Sequence, residues 1–212
     1  LFARIERWVN TETRVAHWRV TSKENLTSIY GKNESARICD PQNASHVFEW
    51  LIETSYDAKG NRIVYEFKQE NPENIPSRLS EKQRIANGTG FANKYLKRVF
   101  YSPFAGDADR FHFQLVFDCG EHATDTPEET GSWPWRRDPF STYKSGFEIR
   151  TYRLCKRVLM FHNFPESGPD SLEDAWELVK SLDLAYKETD ALTYLMSVIA
   201  KGFQKTPGGY EI

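Results

Sequence analysis

Residues 47–68 read VFEWLIETSYDAKGNRIVYEFK, and the second half of this stretch decides the fold. Its side chains alternate between two faces, with Ile63, Tyr65 and Phe67 on one and Val64 and Glu66 on the other. A period of two is typical of a β-strand, whereas a helix would group residues three and four apart. The stretch therefore predicts a strand that packs one face inward.

A turn precedes this strand. Residues 57–61, DAKGN, are polar, and Gly60 and Asn61 both tolerate the positive φ of a tight turn. The sequence therefore predicts a hairpin, with strands over residues 47–56 and 62–68.

The same pattern extends in both directions along the chain. Short strands joined by polar turns are predicted at residues 2–9, 15–20, 26–30, 95–101 and 111–117. The last of these places four large apolar side chains on one face, namely Phe111, Phe113, Leu115 and Phe117. Aromatic residues make up 14% of the chain, which also favours β-structure because aromatic rings fit a half-buried pleated surface.

Four stretches interrupt or extend this pattern. Residues 70–90 are polar and predict a surface excursion that is either mobile or contains a short helix, and residues 121–139 form a second polar loop. Residues 147–164 contain neither Gly nor Pro over eighteen positions, so they predict either one long bent strand or two strands in tandem. Residues 192–203 fit helical and strand spacing equally well, because Leu192, Leu195, Met196 and Ile199 also follow a period near 3.6.

Charge and hydropathy exclude several classes of function. The 28 Lys and Arg against 30 Asp and Glu give a net charge of -2, too small a field to gather nucleic acid or anionic lipid. No apolar run approaches the ~18 residues of a membrane-spanning helix, and no signal-peptide pattern is present at the start. We therefore expect no nucleic-acid partner and no membrane contact by this segment.

A zinc hydrolase is one hypothesis, built on His112, Cys119 and His122. Structural zinc sites bring two close ligand pairs, and the sequence offers one loose pair, so a strand end with a polar turn is the favoured interpretation. Three cysteines at long separations also fit no disulfide framework. Since phosphate loops, HExxH and CxxC motifs are missing, we predict no catalytic, cofactor-binding or metal site, and no cofactor.

Two further clusters have alternative interpretations. Glu148, Arg150 and Arg157 have the residue types of a catalytic constellation, but pairing of their charges across neighbouring strands is the simpler interpretation. Trp133 and Trp135 suggest a second hypothesis, a stand-alone β-domain that binds glycans through exposed aromatic rings.

A family resemblance is carried by residues 135–162, WRRDPFSTYKSGFEIRTYRLCKRVLMFH. Supporting stretches lie at residues 2–8, 17–19, 30–32, 50–52, 56–61, 64–66 and 93–98. Together they resemble the SpvB-type domain of insecticidal toxin-complex B subunits, the Salmonella virulence plasmid B protein family. Residues 178–184, 195–198, 202–203 and 208–210 are similar to the closing strands of that family, which favours strand over helix for residues 192–203.

The resemblance implies an all-β fold of antiparallel strands and hairpins that forms part of a Rhs-like, toxin-complex-like β-sheet shell. It implies a β-meander over residues 1–165, followed by closing strands of the same domain over residues 166–212. Because the chain starts with Leu1 in a strand-like run and lacks the repeats that flank this domain in the family, we expect it to be a fragment of a longer polypeptide.

The implied role is containment. The expected partners are the rest of the B subunit, a Rhs-repeat C subunit, a channel-forming A subunit and the enclosed cytotoxic effector. We expect secretion after synthesis in the bacterial cytoplasm. Some relatives carry an ADP-ribosyltransferase at the far end, but no catalytic motif lies in these residues, so the chain itself is expected not to be an enzyme.

Overall fold

The computed structural model describes residues 2–165 and 174–212. Leu1 and residues 166–173 lie outside the described residues, and so does the start of the predicted 166–212 segment. The strands are β1 (Ala3–Val9), β2 (Ala16–Ser22), β3 (Thr27–Tyr30), β4 (Arg37–Asp40), β5 (Asn43–Trp50), β6 (Ile52–Tyr56), β7 (Arg62–Gln69), β8 (Lys94–Phe104), β9 (Asp107–Asp118), β10 (Phe140–Thr142), β11 (Ile149–Thr151), β12 (Arg157–Asn163), β13 (Trp176–Glu188), β14 (Thr193–Gly202), β15 (Gln204–Thr206) and β16 (Gly209–Glu211). A 3-10 turn spans Glu34–Ala36 and helix α1 spans Lys82–Asn87.

Ten of these strands form one antiparallel sheet, in the order β1-β2-β3-β6-β7-β8-β9-β12-β13-β14. The order follows the chain, as expected for a meander, because each strand pairs with the next one that joins the sheet. Three excursions leave the sheet and return: the β4–β5 hairpin, the segment that contains α1, and the segment that contains β10 and β11. The predicted all-β fold of antiparallel strands is confirmed, and a short helix lies within residues 70–90 as predicted.

The predicted strand over residues 47–56 is wrong in its extent. It is two strands, because β5 leaves the main sheet to pair with β4, while β6 pairs with β3 and β7. The break falls at Leu51, whose N–H donates to the Ala36 carbonyl and whose carbonyl accepts the Gly31 N–H. Gly31 has φ +63°, and a Cβ there would lie 2.4 Å from Trp50 Cδ1. Position 31, next to the break, therefore requires glycine.

The turn before β7 closes as predicted, with one difference. Gly60 has φ +89° as predicted, but Asn61 does not adopt a positive φ. Instead Asn61 donates its backbone N–H to Asp57 Oδ1, which also accepts the Lys59 N–H, so the turn is closed by an aspartate side chain. The expected division of β7 into a buried and an exposed face is not found, because Ile63, Val64 and Tyr65 are all half-buried.

Residues 147–164 contain two strands rather than one. Strand β11 pairs with β10 in a small separate sheet, and β12 lies in the main sheet between β9 and β13. The irregular stretch between them buries Tyr152 and Arg153, and this stretch connects the excursion to the sheet.

Residues 192–203, for which strand and helix spacing were both possible, form strand β14 and its end. Strand β14 pairs with β13 over nine residue pairs with one bulge. The strand assignment favoured by the family resemblance is therefore confirmed.

The main core lies on the central strands. Val116, Leu159, Phe161 and Leu178 come from β9, β12 and β13 and are fully buried, and the β15–β16 hairpin covers them with Tyr210. On β9 the strand prediction is confirmed, but the most deeply buried face carries Gln114, Val116 and Asp118. Phe113, Leu115 and Phe117 are only half-buried. The alternation therefore gave the period of the strand without giving the side that faces the core.

Candidate functional site

The two tryptophans proposed to bind glycans are not exposed. Trp133 is 1% exposed, and its ring is covered by the Arg153 guanidinium at 4.2 Å and the Lys68 ammonium at 4.3 Å from the ring centroid. Trp135 is half-buried, with the Arg78 guanidinium 4.7 Å from its ring centroid. The premise that these rings form an open aromatic platform is therefore wrong, because cation–π stacking already covers them.

The residues of the zinc-hydrolase hypothesis do not come together. His112 stacks on Phe104 with ring centroids 3.8 Å apart, whereas Cys119 and His122 follow the far end of strand β9. Asp118 lies six positions after His112 on the strand, which is roughly 20 Å at the rise of an extended chain. Burial raises the pKa of the Cys119 thiol to about 12, so this cysteine is a protonated core residue.

The arginines of the third predicted cluster each have their own carboxylate. Arg150 Nη2 donates to Glu81 Oε1 at 2.8 Å, Arg157 pairs with Asp118 at 2.5 Å, and Glu148 accepts Arg84 Nε at 2.8 Å. Pairing of these charges across neighbouring strands is therefore correct only for Arg157 and Asp118, which lie opposite each other on β12 and β9. The partners of Arg150 and Glu148 come from the segment around α1, at least 64 residues away in sequence. They fix that excursion to β11.

A buried ion pair fixes the start of the same excursion. Arg153 and Glu70 have fully buried side chains, and Arg153 Nε donates to Glu70 Oε1 at 2.7 Å. The remaining guanidinium donors reach the backbone carbonyls of Asn71, Glu73, Trp133 and Pro134. Tyr95 donates its hydroxyl to the second Glu70 oxygen at 2.6 Å. A buried charge is tolerated when its hydrogen bonds are satisfied in this way. Arg153 thus joins residues 70–73, which follow β7, to residues 133–134 of the second polar loop.

A second polar cluster lies where β9 ends. Arg157 holds the loop by donating to Asp118 Oδ2 and to the His122 carbonyl. Burial alone would raise the pKa of Asp118, but the Gly120 N–H and the Arg157 guanidinium hold it below its usual value. Burial, followed by the nearby Lys97 charge, lowers the pKa of His122 to about 4, so its ring is neutral at physiological pH.

The two edges of the main sheet differ in chemistry. Strand β1, at one edge, carries Arg4, Glu6 and Arg7 among its seven residues. Strand β14, at the other edge, has ten residues and one charge, Lys201. Edge strands of folded proteins are normally short or charged, which blocks unwanted pairing, so β14 is an unprotected edge.

The apolar side chains of β14 are exposed. Every residue from position 194 to position 200 is exposed, and Met196 reaches 65%. The strand register places Leu195 and Val198 of β14 on the same face as Leu182 and Leu184 of β13. Leu182 is exposed as well. An apolar surface of this kind on a long sheet edge is typical of a region that contacts more protein.

An open cleft of about 950 Å³ lies over β1, β2, β3, β6 and β7. Charged and aromatic side chains line it, including Trp8, Arg19 and Glu53. Arg19 stacks over the Trp8 ring and Glu53 accepts hydrogen bonds from Asn33, so these groups are already engaged with one another.

In residues 2–165 and 174–212, no helix has the length and apolar character needed to cross a bilayer.

Comparison with known proteins gives relatives over nearly the whole chain. The family model of the Salmonella virulence plasmid 65kDa B protein matches residues 1–164. The mono(ADP-ribosyl)transferase SpvB of Salmonella typhimurium is 36% identical over 227 residues, which cover 97% of this chain and 37% of that protein. The SpvB protein of Salmonella choleraesuis gives the same values. The chain thus spans little more than a third of the length of these curated relatives.

Solved structures give the same result for the fold. The N-terminal domain of effector protein SpvB from Salmonella typhimurium matches with a TM-score of 0.85 and 35% identity, over 96% of this chain and 66% of that one. The Photorhabdus luminescens Tc holotoxin pore matches with a TM-score of 0.85 and 29% identity, over 98% of this chain and 10% of that one. The TcdB2-TccC3 structure matches with a TM-score of 0.81 and 30% identity. The family match over residues 1–164, with 36% identity across 97% of the chain, shows that the chain belongs to the Salmonella virulence plasmid 65kDa B protein family.

Proposed function

We propose that the chain is a non-catalytic wall segment of a toxin-complex β-sheet shell, which encloses a cytotoxic effector and docks to a channel-forming subunit. The observation that carries this proposal is strand β14, a ten-residue apolar edge with one charge. A strand added at this edge would satisfy its free backbone groups and cover its apolar side chains. The charged edge strand β1 makes the opposite side of the sheet a poorer surface for such pairing.

The structural neighbours support a role within a larger assembly. The Tc holotoxin pore and TcdB2-TccC3 chains are about ten times the length that this chain matches, since the match covers 10% and 11% of them. Under this proposal the partners are the rest of a B subunit, a Rhs-repeat C subunit, a channel-forming A subunit and the enclosed effector. Secretion after synthesis in the bacterial cytoplasm belongs to the same proposal.

The same proposal assigns no catalysis to this chain. Its relatives are named mono(ADP-ribosyl)transferases, but the chain spans 37% of their length, and its solved counterpart is their N-terminal domain. The ionisable clusters at Arg153 and Arg157 hold loops through paired charges, which is a structural use of such groups. We therefore assign any transferase activity of such proteins to a part outside these residues.

We further propose that residues 1–165 and 166–212 form one domain. Strand β13 pairs with β12 over seven residue pairs, and Leu178 of β13 completes the main core. The closing strands therefore continue the sheet and cover its centre.

The edge proposal predicts self-association of the isolated chain. Val198→Lys places a charge on the exposed apolar face of β14, and we expect it to weaken association by at least about tenfold, because burying one such side chain is worth about 1.5–3 kcal/mol. Sedimentation velocity over a range of concentrations measures this. The matched control is Leu79→Lys, which changes a leucine outside the sheet that is more exposed than Val198, and it should leave association unchanged.

Two outcomes would count against the proposal. One is a wild-type chain that stays monomeric at every concentration. The other is association that Leu79→Lys weakens as much as Val198→Lys does.

A further inference from the structure

Three metal-ligating side chains converge at the end of strand β9. One donor atom each from Glu121, His122 and Glu129 lie within 4.8 Å of one another, and this is the one such group within the part of the chain that the structure describes. His122 and Glu129 lie directly opposite each other in an isolated antiparallel bridge. The Glu121 carbonyl accepts the N–H groups of Thr130 and Gly131, which closes the hairpin and fixes the separation of the three side chains.

His122 supplies an independent reason to expect a ligand. The residue is 5% exposed, and neither ring nitrogen has a hydrogen-bond partner although both are buried. Leaving a buried polar atom unsatisfied costs about 1–3 kcal/mol, so two such atoms on one ring call for an explanation. A metal bound to one nitrogen would satisfy it directly, since neutral imidazole is a common metal ligand.

A cation already lies between the two carboxylates. Lys97 occupies a β-bulge of β8, because Glu66 pairs with Arg98 while Phe67 pairs with Leu96. Its ammonium group binds Glu121 and lies 3.6 Å from Glu129 Oε1. Lys68 binds the other Glu129 oxygen at 2.6 Å. The ammonium groups of Lys97 and Lys68 thus neutralise the carboxylates of Glu121 and Glu129, and Lys97 occupies the position between the carboxylates that a metal ion could take.

Glu129 gives this cluster access to solvent. Its side chain is 34% exposed, while Lys97 and Glu121 are almost fully buried, so an incoming ion would meet Glu129 first. Lysine is a flexible point charge on a four-carbon stem, and its ammonium can swing away when a stronger cation arrives.

We propose that Glu121, His122 and Glu129 bind a divalent transition-metal ion of the zinc class, which displaces the Lys97 ammonium from between the carboxylates. One imidazole and two carboxylates are ligands that Zn²⁺ accepts, with water in the fourth position. The bound ion would crosslink the two sides of the hairpin. The proposal does not depend on the shell function, because it concerns only residues within this chain.

The test uses Co²⁺ as a spectroscopic probe for Zn²⁺ in the chelator-treated chain at neutral pH. We expect visible d–d bands that saturate at one Co²⁺ per chain and disappear when Zn²⁺ is added. His122→Gln should abolish the bands, and Glu129→Gln should weaken Co²⁺ binding by at least about tenfold through loss of one charged ligand. His46→Gln is the matched control, since His46 is an exposed histidine outside the cluster.

Removing the competing cation sharpens the test. Lys97→Met should strengthen Co²⁺ binding in the chain, because both carboxylates are then free for the metal. Circular dichroism establishes that each variant is folded, and thermal unfolding with and without Zn²⁺ gives a second readout, since ligand at 100 times its Kd adds about 2.7 kcal/mol of stability. The proposal is overturned if millimolar Co²⁺ gives no bands with the wild-type chain, or if His122→Gln binds Co²⁺ as tightly as wild type.

Discussion

Replacing Arg153 with methionine is expected to destabilise the fold by about 3–5 kcal/mol, the usual cost of removing one partner from a buried ion pair. Methionine preserves much of the side-chain volume but leaves the fully buried Glu70 carboxylate without its guanidinium partner. It also leaves the Trp133, Pro134, Glu73 and Asn71 carbonyls without their shared donor. Urea unfolding followed by tryptophan fluorescence measures the loss, which is a large share of the total stability of a typical domain.

Two comparisons separate this effect from a general effect of losing an arginine. Arg137 forms an exposed pair with Asp190, so Arg137→Met should cost no more than about 1 kcal/mol. Replacing both buried partners, in Arg153→Met with Glu70→Leu, should recover part of the loss, since no uncompensated charge is then left inside. If Arg153→Met is as mild as Arg137→Met, the proposed anchoring role is wrong.

Ending the chain at Pro165 is expected to abolish cooperative folding. The deletion removes β13 to β16, and with them Leu178, which completes the core of Val116, Leu159 and Phe161. Each large apolar side chain that loses its burial costs about 1.5–3 kcal/mol, and four of them approach the whole stability of a domain. Thermal unfolding followed by circular dichroism, together with binding of a hydrophobic dye, measures the outcome.

A shorter deletion provides the control. Ending the chain at Gly202 removes Phe203 and the β15–β16 hairpin. Phe203 and Tyr210 partly cover the core, and the Tyr210 hydroxyl accepts the Leu178 N–H. That chain should still unfold cooperatively, at a lower temperature. A chain ending at Pro165 that unfolds in the same transition as the full chain would contradict the proposal that residues 166–212 belong to the same domain.

Local sequence was enough to predict most of the strands. Alternation is a property of neighbouring residues, so β7 and β9 could be recognised from residues 62–68 and 111–117 alone. The side that faces the core could not be predicted in this way. On β9 the buried face carries Gln114 and Asp118 beside Val116, because the β15–β16 hairpin covers the core around Val116 and Arg157 of the neighbouring strand β12 pairs with Asp118.

The anchoring charges depend on contacts between distant parts of the chain. Arg153 and Glu70 are 83 residues apart, and no local pattern connects them. Arg153 also lies among other charged residues in the run FEIRTYRLCKR at 147–157, so its charge alone does not distinguish it in the sequence. The break at Leu51 was missed for a similar reason, since it depends on hydrogen bonds to Gly31 and Ala36.

The cluster at His122 was only half visible from the sequence. His122 was noticed as a possible ligand, but with Cys119 and His112 as its companions. The companions that the fold supplies are Glu121 and Glu129, and the second becomes a neighbour only because the loop after β9 closes into a hairpin. Irregular loops of this kind have no period from which their pairing can be predicted.

Hydrogen–deuterium exchange of strand β14 tests the central claim most directly, when it is compared between the dilute isolated chain and the complete polypeptide encoded by its gene. Backbone amides at an unpaired sheet edge exchange rapidly, whereas amides paired with a neighbouring strand are protected. We predict fast exchange for edge-facing amides within Thr193–Gly202 in the isolated chain, and strong protection of the same amides in the complete polypeptide. Equal exchange of this strand in both would mean that nothing pairs with it, and would contradict the wall-segment proposal.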